Sequence, residues 1–183
     1  MRKTTIPVGL AILLLCSFAF SQDQPGAKRG PSTPEERKRF VAIVHQLEKT
    51  PLDPSLSSDV AWALQWLEDI PDITVTICWA PLGHFGMEQY PYDSRIRGQF
   101  VLGMGAALIE HQPRQADAIY LAGVESALRT YRSILKSKPE ARSEVLDDLL
   151  AKRDDGTLRD FVHDASKACE GNESMARNTP NLR

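Results

Sequence analysis

Cysteine is scarce in this chain: three in 183 residues, Cys16, Cys78 and Cys169. None stands at CxxC or CxxH spacing, so no zinc site is written locally. Histidine is nearly as rare, with four copies, and there is no HExxH pair. GxSxG and the Walker loop are absent too. Gly103-Met104-Gly105 opens like a dinucleotide fingerprint, but Leu108 takes the third glycine position and no βαβ pattern precedes it. No cofactor is therefore expected. An excess of either charge is also missing, with 22 Lys and Arg against 24 Asp and Glu. Such a balance leaves no electrostatic footprint for nucleic acid or an anionic membrane surface.

Long hydrophobic runs are absent except at the start. Arg2 and Lys3 precede an almost wholly apolar stretch over 6–20, and Ala19-Phe20-Ser21 supplies the small residues that a signal peptidase reads. Residues 1–21 are predicted to be a signal peptide, cleaved near Ser21. The run falls short of the ~20 apolar residues of a membrane span, and no later window approaches it. No integral span is expected after cleavage. Leu15, rather than a small residue, precedes Cys16, which argues against a lipid anchor. Cleavage leaves 20 basic against 24 acidic residues, a formal charge of −4. It also leaves two cysteines. In a secreted or periplasmic protein these are predicted to form one bridge, Cys78–Cys169. The bridge closes a loop of about 90 residues and contributes ~4–5 kcal/mol in the loop-entropy view.

Residues 22–31 are polar and rich in glycine and proline, a flexible linker. Residues 171–183 are polar without apolar periodicity, a disordered tail. The stretch 32–170 between them is of a size for one domain with its own core, and its punctuation is helical. Thr33-Pro34-Glu35-Glu36 reads as a capping box with proline in the first turn. Phe40, Ile43, Val44 and Leu47 follow at helical spacing. Asp53-Pro54 opens a second helix, with Val60, Ala63, Leu64 and Leu67 on one face. A third helix covers Asp93 to His111. Its stretch FVLGMGAALI has no polar side chain on any face, which puts it at the centre of a bundle, and Gly98 and Gly105 would let a neighbour approach. Pro113 and Pro139 are read as the starts of a fourth and a fifth helix, and Thr157 as the cap of a sixth carrying Cys169 on its apolar stripe. The segment Ala127…Tyr131…Pro139 resembles the second helix of a tetratricopeptide repeat, but only over that short stretch and with no repeat period around it.

Residues 72–79, DITVTICW, break the helical pattern with strand-like alternation of Ile73, Val75, Ile77 and Trp79. No partner strand is evident. The segment is predicted to be a short extended crossover, a cryptic helix or half of an intermolecular pair. The fold class is thus a mainly α single-domain bundle of five or six helices with one extended crossover.

Chemistry has one local candidate, the passage ICWAPLGHFGMEQYPYD over 77–93. His84 and Glu88, four apart, with Asp93 beyond, have the residue types of an acid/base pair or a metal site. Gly83 and Gly86 weaken any helix there, and the plainer reading is a crossover pinned by the disulfide. Phe85, Tyr90 and Tyr92 serve packing or a ligand-binding loop equally well. Trp62 and Trp66, four apart on the second helix, either fill a second layer or form an aromatic partner site. His45, His111 and His163 stand singly and read as structural or surface residues. Asn172-Glu173-Ser174 is a glycosylation sequon, relevant in a eukaryotic host. The expected function is an exported binding or interaction module for a protein or small-molecule partner, with an envelope-stress or chaperone-like role as one version. The competing expectation is a small metal-dependent or hydrolytic enzyme centred on His84.

Overall fold

The computed structural model describes residues 29–83, 85 and 89–177, the side chains from 170 onward excepted. The predicted signal peptide, most of the linker, His84 and Glu88 lie outside the described residues. Within them the chain is all α, with six helices and no strand: α1 (Pro34–Lys49), α2 (Ser57–Asp69), α3 (Asp93–Glu110), α4 (Ala116–Ser137), α5 (Glu144–Asp154) and α6 (Leu158–Arg177).

α1 begins where its capping box predicts. Thr33 accepts from the Glu36 amide, and the Glu36 carboxylate accepts from the Thr33 amide. Asp53-Pro54 opens only a 3-10 turn, Pro54–Leu56, and α2 follows at Ser57. The two prolines read as helix starts also stand outside their helices. Gln112, at a positive φ of 47°, ends α3, and α4 begins at Ala116, three residues past Pro113. α5 begins at Glu144, because Ser143 supplies the cap by accepting from the Leu146 amide. α6 runs past Gly171 to Arg177, into the stretch read as tail. Pro180 is the first proline beyond it.

Residues 100–109 of α3 are apolar all round because the helix serves two cores. Phe100 and Met104 belong to a cluster with α4, α5, α6 and the segment around Tyr90. Leu102 and Ala106 belong to a second cluster with α1, α2 and Ile73. Sandwiched this way, residues 102–107 are all buried. The close approach is made by glycines other than the expected pair. A Cβ on Gly123 of α4 would lie 2.8 Å from the Phe100 carbonyl oxygen, and one on Gly103 would lie 2.4 Å from the Ser126 Cβ. Gly98 has nothing within 4 Å, and Gly105 meets only the Phe40 and Leu67 side chains.

Residues 73–78 run straight, with neither turn nor bend, between α2 and a 3-10 turn at Ala80–Leu82. The segment is a crossover without a partner strand among the described residues. It ends on the disulfide: Cys78 and Cys169 are bonded, with Cα atoms 5.8 Å apart and 91 residues of separation.

Candidate interaction surface

The passage after Cys78 is held down by packing as well as by the bridge. Gly83 takes a φ of +65°, a conformation other residues adopt at a cost. Phe85 and Tyr90 are buried, and rings run in edge contact from Phe85 to Tyr90 at 5.7 Å and from Tyr90 to Tyr92 at 5.9 Å and Tyr131 at 6.2 Å. The Tyr90 hydroxyl donates to the Ala141 carbonyl at 3.2 Å. Asp93 is engaged by Arg97, Oδ1 to Nε at 2.9 Å, on the first turn of α3. Through Tyr90 these aromatics cover Tyr131 of α4 and the Ala141 loop that leads into α5. Tyr92, half-buried, is the outermost of the three.

The tryptophan pair divides. Trp66 is 2 % exposed and lies 4.7 Å from the Phe40 ring, so it fills the core between α1 and α2. Its indole Nε1 is buried without a hydrogen-bond partner among the described residues. Trp62 stacks outside it at 5.7 Å and is capped by the Arg39 guanidinium at 3.9 Å. Turning Trp66 inward turns Leu64 outward, where the sequence puts it on the buried stripe.

Sequence reasoning missed a polar junction where α1, α3 and α4 meet. Glu48 is 8 % exposed and accepts from the Ser126 hydroxyl at 2.6 Å and from Arg129 Nη2 at 2.8 Å. Gln99 donates to Ser126 Oγ at 2.9 Å and to the Val44 carbonyl at 3.1 Å, which ties the third helix in. His45 stands between two carboxylates, Nδ1 3.4 Å from Glu48 and Nε2 3.1 Å from Glu110. A cavity of about 180 Å³ opens beside them, lined also by His111 and Glu125. Burial pushes the Glu48 carboxyl up, but the Arg129 and Ser126 hydrogen bonds outweigh it and hold it below its ordinary value. Burial pulls the His45 imidazole down, and the bonds and charges of Glu110 and Glu48 raise it above its ordinary value. Glu125 is raised by burial. The signal was present in the sequence: Glu48 follows Val44 by four, a glutamate on an otherwise apolar stripe. Glu48, His45, Gln99, Ser126 and Arg129 are all partnered, which is the arrangement of a structural network. Among the described residues no group of three or more His, Cys, Asp or Glu is placed to hold a metal ion.

Apolar surface is left over on one side. Leu64 is 38 % exposed, Ile77 53 % and Trp79 37 %. Leu64 and Ile77 line a groove of about 460 Å³ together with Leu67, Glu68, Val75 and Val101, between α2, the crossover and α3. Trp79, two residues along, rests on Phe100 at 5.8 Å with the Arg97 guanidinium 4.8 Å above its ring. A smaller hollow on the other side of Leu64 reaches Gly98, whose missing side chain leaves α3 open. Large apolar side chains grouped along a groove are characteristic of interaction sites. No protein-family model, curated protein or solved structure matches the chain. No helix among the described residues is long and apolar enough to cross a membrane.

Proposed function

We propose that the protein is an exported binding module, secreted or periplasmic after removal of 1–21, and that it engages its partner through the groove between α2, the crossover and α3. The observation that carries the reading is the exposure of Leu64 and Ile77 on one groove, with Trp79 exposed two residues along from Ile77. The disulfide suits an oxidising compartment, and the basic start with its apolar run supplies the route there. The later part of the passage over 77–93 supports this reading as scaffold: Phe85 and Tyr90 are buried and Asp93 is engaged by Arg97.

A photo-crosslinking residue at Ile77, compared with one at the exposed Lys136 of α4, tests the reading in producing cells. Irradiation is expected to give a discrete adduct from position 77 and none from 136. Equal labelling from both positions, or none from 77, rejects the groove as a binding site. Fractionation and intact mass of the adduct-forming protein check export: the expected product starts at Gln22, and an uncleaved cytoplasmic chain rejects that part.

A further inference from the structure

The crossover has an unusual property beside the groove. Among the described residues, no backbone N–H or C=O of 73–78 takes part in a backbone hydrogen bond. Straight, unpaired backbone of this kind is a template for another strand. Natural edge strands are commonly blunted by lysine, proline or a bulge. None of these interrupts Ile73-Thr74-Val75-Thr76-Ile77, which is entirely β-branched and reads the same from either end.

We infer that the crossover pairs with the same segment of a second copy, antiparallel, about a twofold axis at Val75. The inference deepens the groove-binding reading and rests on it. An axis there sets Val75 opposite Val75, Thr74 opposite Thr76 and Ile73 opposite Ile77, so each β-branched side chain meets its like on the same face. The exposed Ile77 of each copy then lies beside Ile73 of the other. Charge favours the same direction. Asp69 and Asp72 stand at the Ile73 end of the segment, and Arg97, over the Trp79 ring, at the other. Asp72 is already bonded to Arg37 and Arg97 to Asp93, whereas Asp69 forms no ion pair among the described residues. Antiparallel pairing brings the acidic end of one copy to the basic end of the other, and parallel pairing sets like against like. An isologous twofold contact of this sort closes at a dimer. Five paired residues span only about 17 Å. That gives an interface at the small end of the specific range, hence a weak, concentration-dependent dimer.

Sedimentation equilibrium of the mature, oxidised protein up to ~1 mM is expected to show a monomer–dimer equilibrium. Thr76→Pro removes one amide from the ladder at an exposed position compatible with extended backbone, and Ile77→Lys puts a charge on the contact. Both variants are expected to stay monomeric over the series with unchanged helical circular dichroism. Register is read separately with Thr74→Cys and Thr76→Cys. Mixed together under mild oxidation they are expected to cross-link several-fold faster than either alone, because 74 faces 76 and neither faces itself. A monomer at every concentration, a dimer that Thr76→Pro leaves intact, or cross-linking no faster in the mixture overturns the inference. If position 77 still gives its adduct in cells, but to another molecule, the binding reading stands and only self-pairing fails. If a heterologous strand or residues 22–28 occupy the groove instead, the first of those outcomes is observed.

Discussion

At the scale of single residues, the helix contacts turn on what a side chain would meet. Gly123→Ala sets a methyl 2.8 Å from the Phe100 carbonyl oxygen and 2.7 Å from Met104 Cγ. Backbone cannot swing away as a side-chain tip can, so a loss of ~1–3 kcal/mol is expected. Gly98→Ala meets nothing within 4 Å and should gain ~0.5–1 kcal/mol from the lost flexibility of glycine in a helix. Urea unfolding of the two variants checks the contrast, and equal effects would contradict the α3–α4 contact described. Sequence spacing pointed to Gly98 and Gly105 because it registers that two positions share a face and carries no information on what lies across it. Trp66 and Leu64 show the same limit, since either could turn inward until α1 supplied Phe40. Glu48 was legible in principle, but its partners Gln99, Ser126 and Arg129 come from distant helices that only tertiary packing brings to it.

The junction around Glu48 also has a pH signature. The His45 imidazole is raised above its ordinary 6.5, so its contribution is fully present below that value and is lost as pH rises through the folded value. The Glu48 carboxyl is lowered below 4.5, so its contribution is present above 4.5 and is lost as pH falls through the folded value. Together they favour the interval between. Glu125, raised by burial, works against Glu48 as it ionises. Comparison with His45→Gln isolates the histidine: the stability difference between parent and variant should shrink from pH 6 to pH 8. His45 is 40 % exposed, so solvent screening keeps the effect small, at most of order 1 kcal/mol. A difference that grows over that range would reverse the assignment.

At the scale of elements, the legible parts were those with self-contained signals. The capping box began α1 where it stood, and the all-apolar stretch of α3 placed that helix centrally, because both cues depend on a few neighbouring residues or on burial alone. Prolines were less faithful. Pro113 follows the left-handed Gln112, and Pro139 lies within a turn in which the Ala141 amide bonds to the Lys138 carbonyl. Each proline ends one conformation, while the next helix waits for its own first turn. Ser143 makes that visible, since its hydroxyl caps α5 and its amide donates to the Tyr131 hydroxyl at 2.9 Å. Tyr131 is pushed up to about 12, by burial first. Tyr131→Phe leaves the Ser143 amide without that acceptor and removes the donor to Asp147. A loss of ~1–3 kcal/mol is expected, with faster amide exchange at Ser143 and the first turn of α5. Unchanged exchange there would show that the cap stands without the tyrosine.

At the scale of the whole molecule, two cores share α3, and the disulfide acts across only one of them. Cys169 belongs to the α3–α6 core and Cys78 packs against it, while the α1–α2 core contains no cysteine. Reduction therefore bears on the crossover and α6 first. The loop-entropy value for so long a loop is ~4–5 kcal/mol, which in a chain of this size corresponds to a melting temperature lower by roughly 10 °C. Amide exchange should rise in residues 71–83 and in α6, while α1, α3 and α4 keep their protection and most helical signal survives. The comparison that also bears on export uses one sequence made in two places. Chain beginning at Gln22 and retained in a reducing cytoplasm should carry two free thiols and melt at the lower temperature. Chain exported with residues 1–21 attached should carry the bond and melt at the higher one. Peptide mapping without reductant distinguishes them. If the exported protein also holds free thiols, the staple does not form in its own compartment, and the order of the Phe85–Tyr92 cover must come from its ring contacts alone.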